Sequence, residues 1–327
     1  MQATGVTLGS RGRDQLPEYA AIAEERGLDT FWVGESYGIA AVPQLTRLIE
    51  RTDDIDVCSG VLNVYARTPA LVGMTAATLA NFSGGRFRLG LGTSSPAVIE
   101  NFHGVSFDRP LRRTREYVEI VRALLSGERV DYDGECFAVE GFALDVTAVP
   151  DVPIALAAMG EANRRLTGAV ADEWIPLMVP HTAVGDAIGP IETGAEQAGR
   201  PLDDIKIAPW IPTCISERDP EAAREAVRSL IAFYVGAMGD YYANAARNFG
   251  FGAEATAIRE GWREDRLTGA VAGVTDEMLS AFGAAGQPAA AAETFDRYIE
   301  AGADTPVAYI AAKWADAETV RETISHL

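Results

Sequence analysis

Short apolar runs alternate along this chain with segments whose apolar residues recur every three or four positions. The first kind reads as buried strand and the second as amphipathic helix. Gly5–Leu8 is a strand. Asp14 is placed to cap a helix over Leu16–Glu25, which Gly27 closes at the position past its end. Thr30–Val33 is a second strand. Ala41–Glu50 puts Val42, Leu45, Leu48 and Ile49 on one helical face. Asp56–Ser59 is a third strand, Pro69 opens a helix through Phe82, Phe87–Leu91 is a fourth strand, and Pro110–Leu125 is a long helix. An excursion follows, in which Asp133-Gly134 between two β-like runs marks a hairpin. The alternation then resumes with strands at Pro153–Ala157, Glu173–Pro176, Ile205–Ile215 and Val307–Ile310. Helices lie between and after them over Ala162–Val170, Thr182–Ala198, two within Pro220–Phe282, Gln287–Ala301 and Asp316–Ser325.

Eight strand-then-helix units in 327 residues, with no composition break, predict a single (β/α)8 TIM-barrel domain with insertions over residues 1–327. A doubly wound sheet is the competing α/β arrangement. In a barrel the functional residues sit just after the strands. The segments to read are therefore Gly9–Arg11, Gly34–Tyr37, Gly60–Asn63, Gly92–Ser95, Ala158–Glu161, Leu177–Pro180 and Trp210–Thr213.

Charge narrows the partners. The net charge is -19, with 47 carboxylates against 28 bases, and only Lys206 and Lys313 are lysines. Such a surface is repelled by nucleic acid and by anionic membranes. Scarce lysine and abundant carboxylate point to a salt-rich, haloarchaeal cytoplasm, where charge repulsion is screened. No apolar run is long enough to span a bilayer, and the first residues lack a signal-peptide pattern, so a cytoplasmic location is expected. Cys58, Cys136 and Cys214, like His103, His181 and His326, are scattered. They form no disulfide framework and no metal-ligand spacing, so no metal is expected. Walker, G-x-S-x-G and strand-following G-x-G-x-x-G motifs are absent.

Several strand ends carry a resemblance. "FWVGES", "GVLNVYARTPALVGMTAATLANFSGGRFRLGLGTSS", "HGVSFDRPLRRTREYVEIVRALLSGERVDYDGE" and "IALAAMGEANRRLTGAVADEWI" resemble the bacterial-luciferase-like superfamily, over about Thr4 to Ile175. Within it they are most similar to the coenzyme F420-dependent branch, which includes methylenetetrahydromethanopterin reductase. The resemblance implies a hydride-transferring oxidoreductase with F420 as cofactor and a small-molecule substrate, a methylene-tetrahydropterin or an alcohol. An FMN-dependent monooxygenase and a catalytically silent cofactor-binding barrel are the alternatives. It also implies a non-prolyl cis peptide at Gly60–Val61, lying against the middle ring of the deazaflavin, with Leu62 and Asn63 beside it. A homodimer or higher homo-oligomer is implied as well.

The other strand ends fit the same reading. Gly92, Thr93 and Ser94 leave room for a cofactor and offer hydroxyls, while Ser94 or Ser95 equally suits a helix cap before Pro96. Ala158, Met159, Gly160 and Glu161 form a strand-to-helix junction whose free N–H groups suit the phosphate-bearing tail, with Arg164 and Arg165 one turn on. Where many relatives carry Asp-His, this chain has Glu35-Ser36. Glu35 is the candidate proton donor, or else the partner of an arginine such as Arg67. Ser36 is a cofactor contact that cannot act as an acid near neutral pH. The carboxylates that the methylene-reductase relatives carry on the first strand and after the fourth correspond here to Thr7 and Ser95, which leaves Glu35, or Glu100 reaching in, to supply an acid. The aromatic stretch "FYVGAMGDYYANAARNFGFG" reads as lid, dimer surface or core.

Overall fold

The structure, a computed structural model, describes residues 3–8, 13–36, 38, 40–146 and 149–327. The strand end at Gly9–Arg11, and Tyr37 in the next one, lie outside the described residues.

The strands are β1 (Gly5–Thr7), β2 (Thr30–Val33), β3 (Asp56–Ser59), β4 (Leu62–Asn63), β5 (Phe87–Gly92), β6 (Val130–Asp133), β7 (Ala138–Phe142), β8 (Ile154–Leu156), β9 (Glu173–Trp174), β10 (Lys206–Ile207), β11 (Trp210–Ile215), β12 (Ala284–Gly286) and β13 (Val307–Ile310). The helices are α1 (Leu16–Glu25), α2 (Ala41–Ile49), α3 (Pro69–Phe82), α4 (Pro96–Asn101), α5 (Pro110–Leu125), α6 (Glu161–Val170), α7 (Val184–Gln197), α8 (Pro220–Ala237), α9 (Asp240–Asn248), α10 (Gly252–Val271), α11 (Asp276–Phe282), α12 (Pro288–Glu300) and α13 (Ala317–Ser325). Among the described residues no helix is long and apolar enough to cross a membrane.

The chain separates into two compact units. One comprises Asp29–Ile175 and Gly189–Lys206. Its strands run β2-β3-β5-β8-β9, all parallel, with β4 pairing the far end of β5. Strands buried on both faces read as continuous apolar runs rather than alternations, which is why β2 (Thr-Phe-Trp-Val) is wholly buried. Helix α3 starts where the sequence predicts: Thr68 accepts the Leu71 N–H as its cap, and Pro69 follows. Arginines fasten the end of the sheet where the strands begin. Arg88 donates to Asp56 at 2.7 Å, and Arg122 bonds the Val170 carbonyl and Asp172. The hairpin β6–β7 is held by Glu116, a buried side chain that accepts the backbone N–H groups of Glu135, Cys136 and Phe137.

The other unit comprises the described residues of Met1–Leu28, with Pro176–Ile188 and Ile207–Leu327. Its strand order is β1-β13-β11-β12, again parallel. Three expectations need correction here. Asp14 lies in a 3-10 turn before α1, and Gln15, without a side-chain bond, occupies the cap position. The single strand expected over Ile205–Ile215 breaks into β10 and β11 at Ala208-Pro209, because proline has no N–H for a ladder. Trp210–Thr213 therefore lies inside β11, not after it. Finally, Pro220–Phe282 holds four helices instead of two. Gly239 and Gly250, both at positive φ, end helices there, and α10 is interrupted at Asp265 and Arg266. The aromatic stretch belongs to this unit's core: Val235, Ala243 and Ala246 are buried, and the Tyr234 and Tyr309 hydroxyls meet at 2.8 Å.

Candidate functional site

Every candidate cofactor residue falls in the first unit, at the carboxyl ends of its parallel strands. Three of these ends pack against one another. Beyond β3 the Gly60–Val61 peptide is cis, as the resemblance implied. Val61 then faces Gly92, the last residue of β5. A Cβ on Gly92 would lie 2.9 Å from Val61 Cγ2 and 3.5 Å from Ala157 Cβ, just past β8. No side chain fits there, so glycine keeps the three ends in contact. Gly90, two residues earlier, is tighter still. Its N–H donates to Ser59 Oγ at 2.8 Å, Ser59 Oγ donates back to the Gly90 carbonyl at 3.0 Å, and an added Cβ would sit 2.0 Å from the Ser59 carbonyl oxygen.

Leu62 and Asn63 are buried on β4, opposite Leu91 and Gly92. Asn63 Oδ1 accepts the N–H groups of Tyr65 (3.1 Å) and Ala66 (2.7 Å). That use of the oxygen fixes the amide orientation, so its NH2 group points at His103 Nε2, 3.5 Å away. The amide is then the donor and Nε2 the acceptor of this contact. Thr93 and Ser94 follow β5. Ser94 is exposed and adopts a left-handed backbone (φ 59°), uncommon for a residue other than glycine. Ser95 caps α4 through the Val98 N–H, so the cap falls to Ser95.

Past β8, Ala158 is buried and its carbonyl accepts from Trp174 Nε1 at 2.7 Å. Its role is packing, and Met159 and Gly160 carry the surface of the junction. Helix α6 begins at Glu161 with Gly160 as an N-cap lacking a side-chain bond. The N–H groups of its first turn are thereby left for an anion. The Glu161 carboxylate is drawn along its own helix to Arg165 at 2.7 Å. Arg164, partly buried, has its charge disfavoured by desolvation.

Glu35, the expected proton donor, is engaged. Both terminal guanidinium nitrogens of Arg67, Nη1 and Nη2, donate to it, the latter at 2.8 Å, and its Oε1 also accepts the Ala41 N–H at 2.9 Å, at the start of α2. Burial pushes its carboxyl up. The Arg67 bonds, the Ala41 N–H and the nearby charges of Arg67 and His103 more than offset this, so the group sits below its ordinary value. A carboxyl held down in this way is ionised near neutral pH and ill suited to give a proton. Its contribution to stability is present above the unfolded pKa and is lost as pH falls through the folded one. Ser36 is exposed in a bend. Glu100, which might have reached in, is exposed and accepts from the Phe107 N–H at 3.4 Å.

His103 is the residue that sequence reasoning missed. It was one of three scattered histidines, and only the turn after α4 brings it to Asn63 and near Glu35.

The profile of the luciferase-like monooxygenase family matches residues 2–305. A 5,10-methylenetetrahydromethanopterin reductase of Methanolobus tindarius is 32% identical over 279 residues, 84% of this chain and 83% of that protein. An F420-dependent glucose-6-phosphate dehydrogenase of Nocardia farcinica is 31% identical over 237 residues, 66% of this chain and 69% of that one. Among solved structures, the coenzyme F420-dependent tetrahydromethanopterin reductase of Methanopyrus kandleri superposes with a TM-score of 0.84 at 25% identity, covering 99% of this chain and 96% of that chain. The expected fold class, an α/β luciferase-like TIM barrel, is borne out.

Proposed function

The chain belongs to the luciferase-like monooxygenase family, and within it we propose an oxidoreductase that uses coenzyme F420 to move a hydride to or from an organic carbon. The observation that carries this reading is the meeting of three strand ends at Gly92, where no Cβ fits, with the uncapped start of α6 lying past one of them. A small-residue floor suits a flat ring, and the helix start suits the phosphate of its tail. The glucose-6-phosphate dehydrogenase and the superposed reductase, both named for F420, lend support.

When bound, F420 supplies the hydride chemistry. The chain's part is to hold and orient. Val61, Asn63 and Gly92 would line the ring side, the hydroxyls of Thr93 and Ser94 would meet the ribityl portion, and the α6 N–H groups with Arg164 would hold the phosphate. Proton handling falls to His103, because Glu35 is kept ionised by Arg67 and neither Thr7 nor Ser95 supplies an acid. Glu35 is then a positioning residue, which starts α2 and anchors Arg67. Methylene-tetrahydropterins are the first substrates to screen, ahead of secondary alcohols and sugar phosphates.

Titrating the full chain with oxidised F420, and separately with FMN, in multimolar potassium chloride tests the cofactor. Absorbance is expected to report micromolar binding of F420 and at least tenfold weaker binding of FMN, a difference of about 1.4 kcal/mol. Preference for FMN, with oxygen uptake, would move the protein to the monooxygenases. Binding of neither would overturn the reading.

A further inference from the structure

His103 stands on a segment with little of its own to hold it. Residues 102–109 join α4 to α5 without regular structure, and within them only His103 and Phe107 are half-buried, the rest being exposed. The near end is tied to α4: the His103 N–H donates to the Val98 carbonyl and the Val105 N–H to the Ile99 carbonyl, both at 3.2 Å. The far end hangs on Tyr65. Its hydroxyl donates to the Asp108 carbonyl at 2.9 Å, and its ring stacks on Phe107, with 5.1 Å between centres and 23° between planes. Tyr65 is also one of the residues whose N–H the Asn63 side chain accepts. One buried tyrosine therefore braces both partners of the Asn63–His103 contact.

What fixes Tyr65 is Arg113 of α5. Its guanidinium carbon lies over the Tyr65 ring, 4.7 Å from the centre, and over the Phe137 ring at 4.8 Å. Phe137 belongs to the β6–β7 turn that Glu116 clamps through its backbone. Arg109 and Arg112, on the same stretch, are tied to Glu135 at 3.1 Å. Arg113 is held differently, and its Nε is buried without a hydrogen-bond partner. An unbonded buried donor is destabilising, so the contact with the two rings has to outweigh it. A planar guanidinium can lay its face on an aromatic ring in a way that an ammonium cannot. The contacts thus run from Phe137 through Arg113 and Tyr65 to Phe107, and end in the segment that carries His103. We propose that Arg113 is a positioning residue for His103: through Tyr65 and Phe107 it passes the fixed place of the hairpin on to the segment that presents the imidazole to Asn63. At 3.5 Å that last contact is at the limit of a hydrogen bond, so a small shift of the segment breaks it. The effect on turnover rests on the reading of His103 as the proton-handling group; the effect on its position does not.

The first test is the imidazole NMR spectrum of the full chain with isotope-labelled histidine. The chain has three histidines, His103, His181 and His326, and His103→Gln identifies the signal of His103 by its loss. Arg113→Met is expected to shift that signal and to leave those of His181 and His326 in place. Phe107→Leu, at the other end of the same contacts, is expected to do likewise, and it keeps the test open if Arg113→Met does not fold. Arg112→Met, one position earlier and on the exposed Glu135 pair, is expected to move none of them. An unmoved His103 signal in either folded variant, or an equal shift in Arg112→Met, would overturn the proposal. The second test is F420-linked turnover of a methylene-tetrahydropterin. Arg113→Met is expected to lower kcat about tenfold, less than the roughly 10²-fold that an ångström of misplacement can cost, with KM and F420 affinity held within about twofold. In the His103→Gln background the same substitution is expected to change kcat by less than about twofold, because residues that act through one another are not additive. A tenfold loss in both backgrounds would overturn the claim that Arg113 acts through His103. Wild-type turnover in His103→Gln would instead overturn the role given to His103, and the spectrum decides the position of its ring in either case.

Discussion

Gly90→Ala is expected to remove roughly 4 kcal/mol or more of stability, a size reached when a mutation breaks a specific structural device. The device is the close approach of β3 and β5. The Ser59 hydroxyl bridges both polar groups of Gly90, which draws the two backbones together. The new methyl would lie 2.0 Å from the Ser59 carbonyl oxygen and 3.2 Å from the Trp32 ring. Neither can give way: one is backbone inside a parallel sheet, and the other is a buried indole whose nitrogen donates to Thr30 Oγ1. Relief requires the strands to part at Ser59, directly before the cis Gly60–Val61 bond. Guanidinium unfolding in high salt measures the loss. Gly189→Ala is the control, because a Cβ there meets nothing within 4 Å and the site is inside α7. It is expected to raise stability by up to about 1 kcal/mol. If Gly90→Ala unfolds at the wild-type midpoint, the two strands do not pack as described.

The legible parts of the chain are those whose signals are local. Helix α3 announces itself through Pro69 at its first position, and its bounds, Pro69–Phe82, match. Strand β12 could not be read, because Ala284-Ala285-Gly286 has no β-branched residue. Its strand state comes from lying along Thr213–Ile215, a tertiary effect that overrides propensity. The helices beyond Ala237 were miscounted because Gly239 and Gly250 stand within a run of otherwise helical spacing. At the site, the strand ends were legible from the barrel rule and the resemblance. The choice between the two readings of Glu35 was not: the pair with Arg67, named as the alternative, is formed across 32 positions, and a sequence does not show whether such a pair closes. The same holds for His103, 40 positions from Asn63. Long-range pairing of side chains decides the chemistry, and a single sequence shows pairing only within an element.

His103→Gln is expected to lower turnover about 10²- to 10³-fold, the usual worth of a positioned acid or base, while F420 affinity stays within about twofold, a change under 0.5 kcal/mol. Glutamine keeps a polar group next to Asn63, so a loss confined to turnover separates proton transfer from packing. Glu35→Gln leaves the partly buried Arg67 without its anion, which lowers stability by about 1–3 kcal/mol. The maximal rate is expected to fall far less than for His103→Gln. The reverse ranking, with Glu35→Gln inactive and His103→Gln near wild type, would return the proton to Glu35. It would mean that substrate binding breaks the Arg67 pair and lifts the carboxyl from its depressed state, a change that the pH profile of the Arg67→Lys variant would then also show.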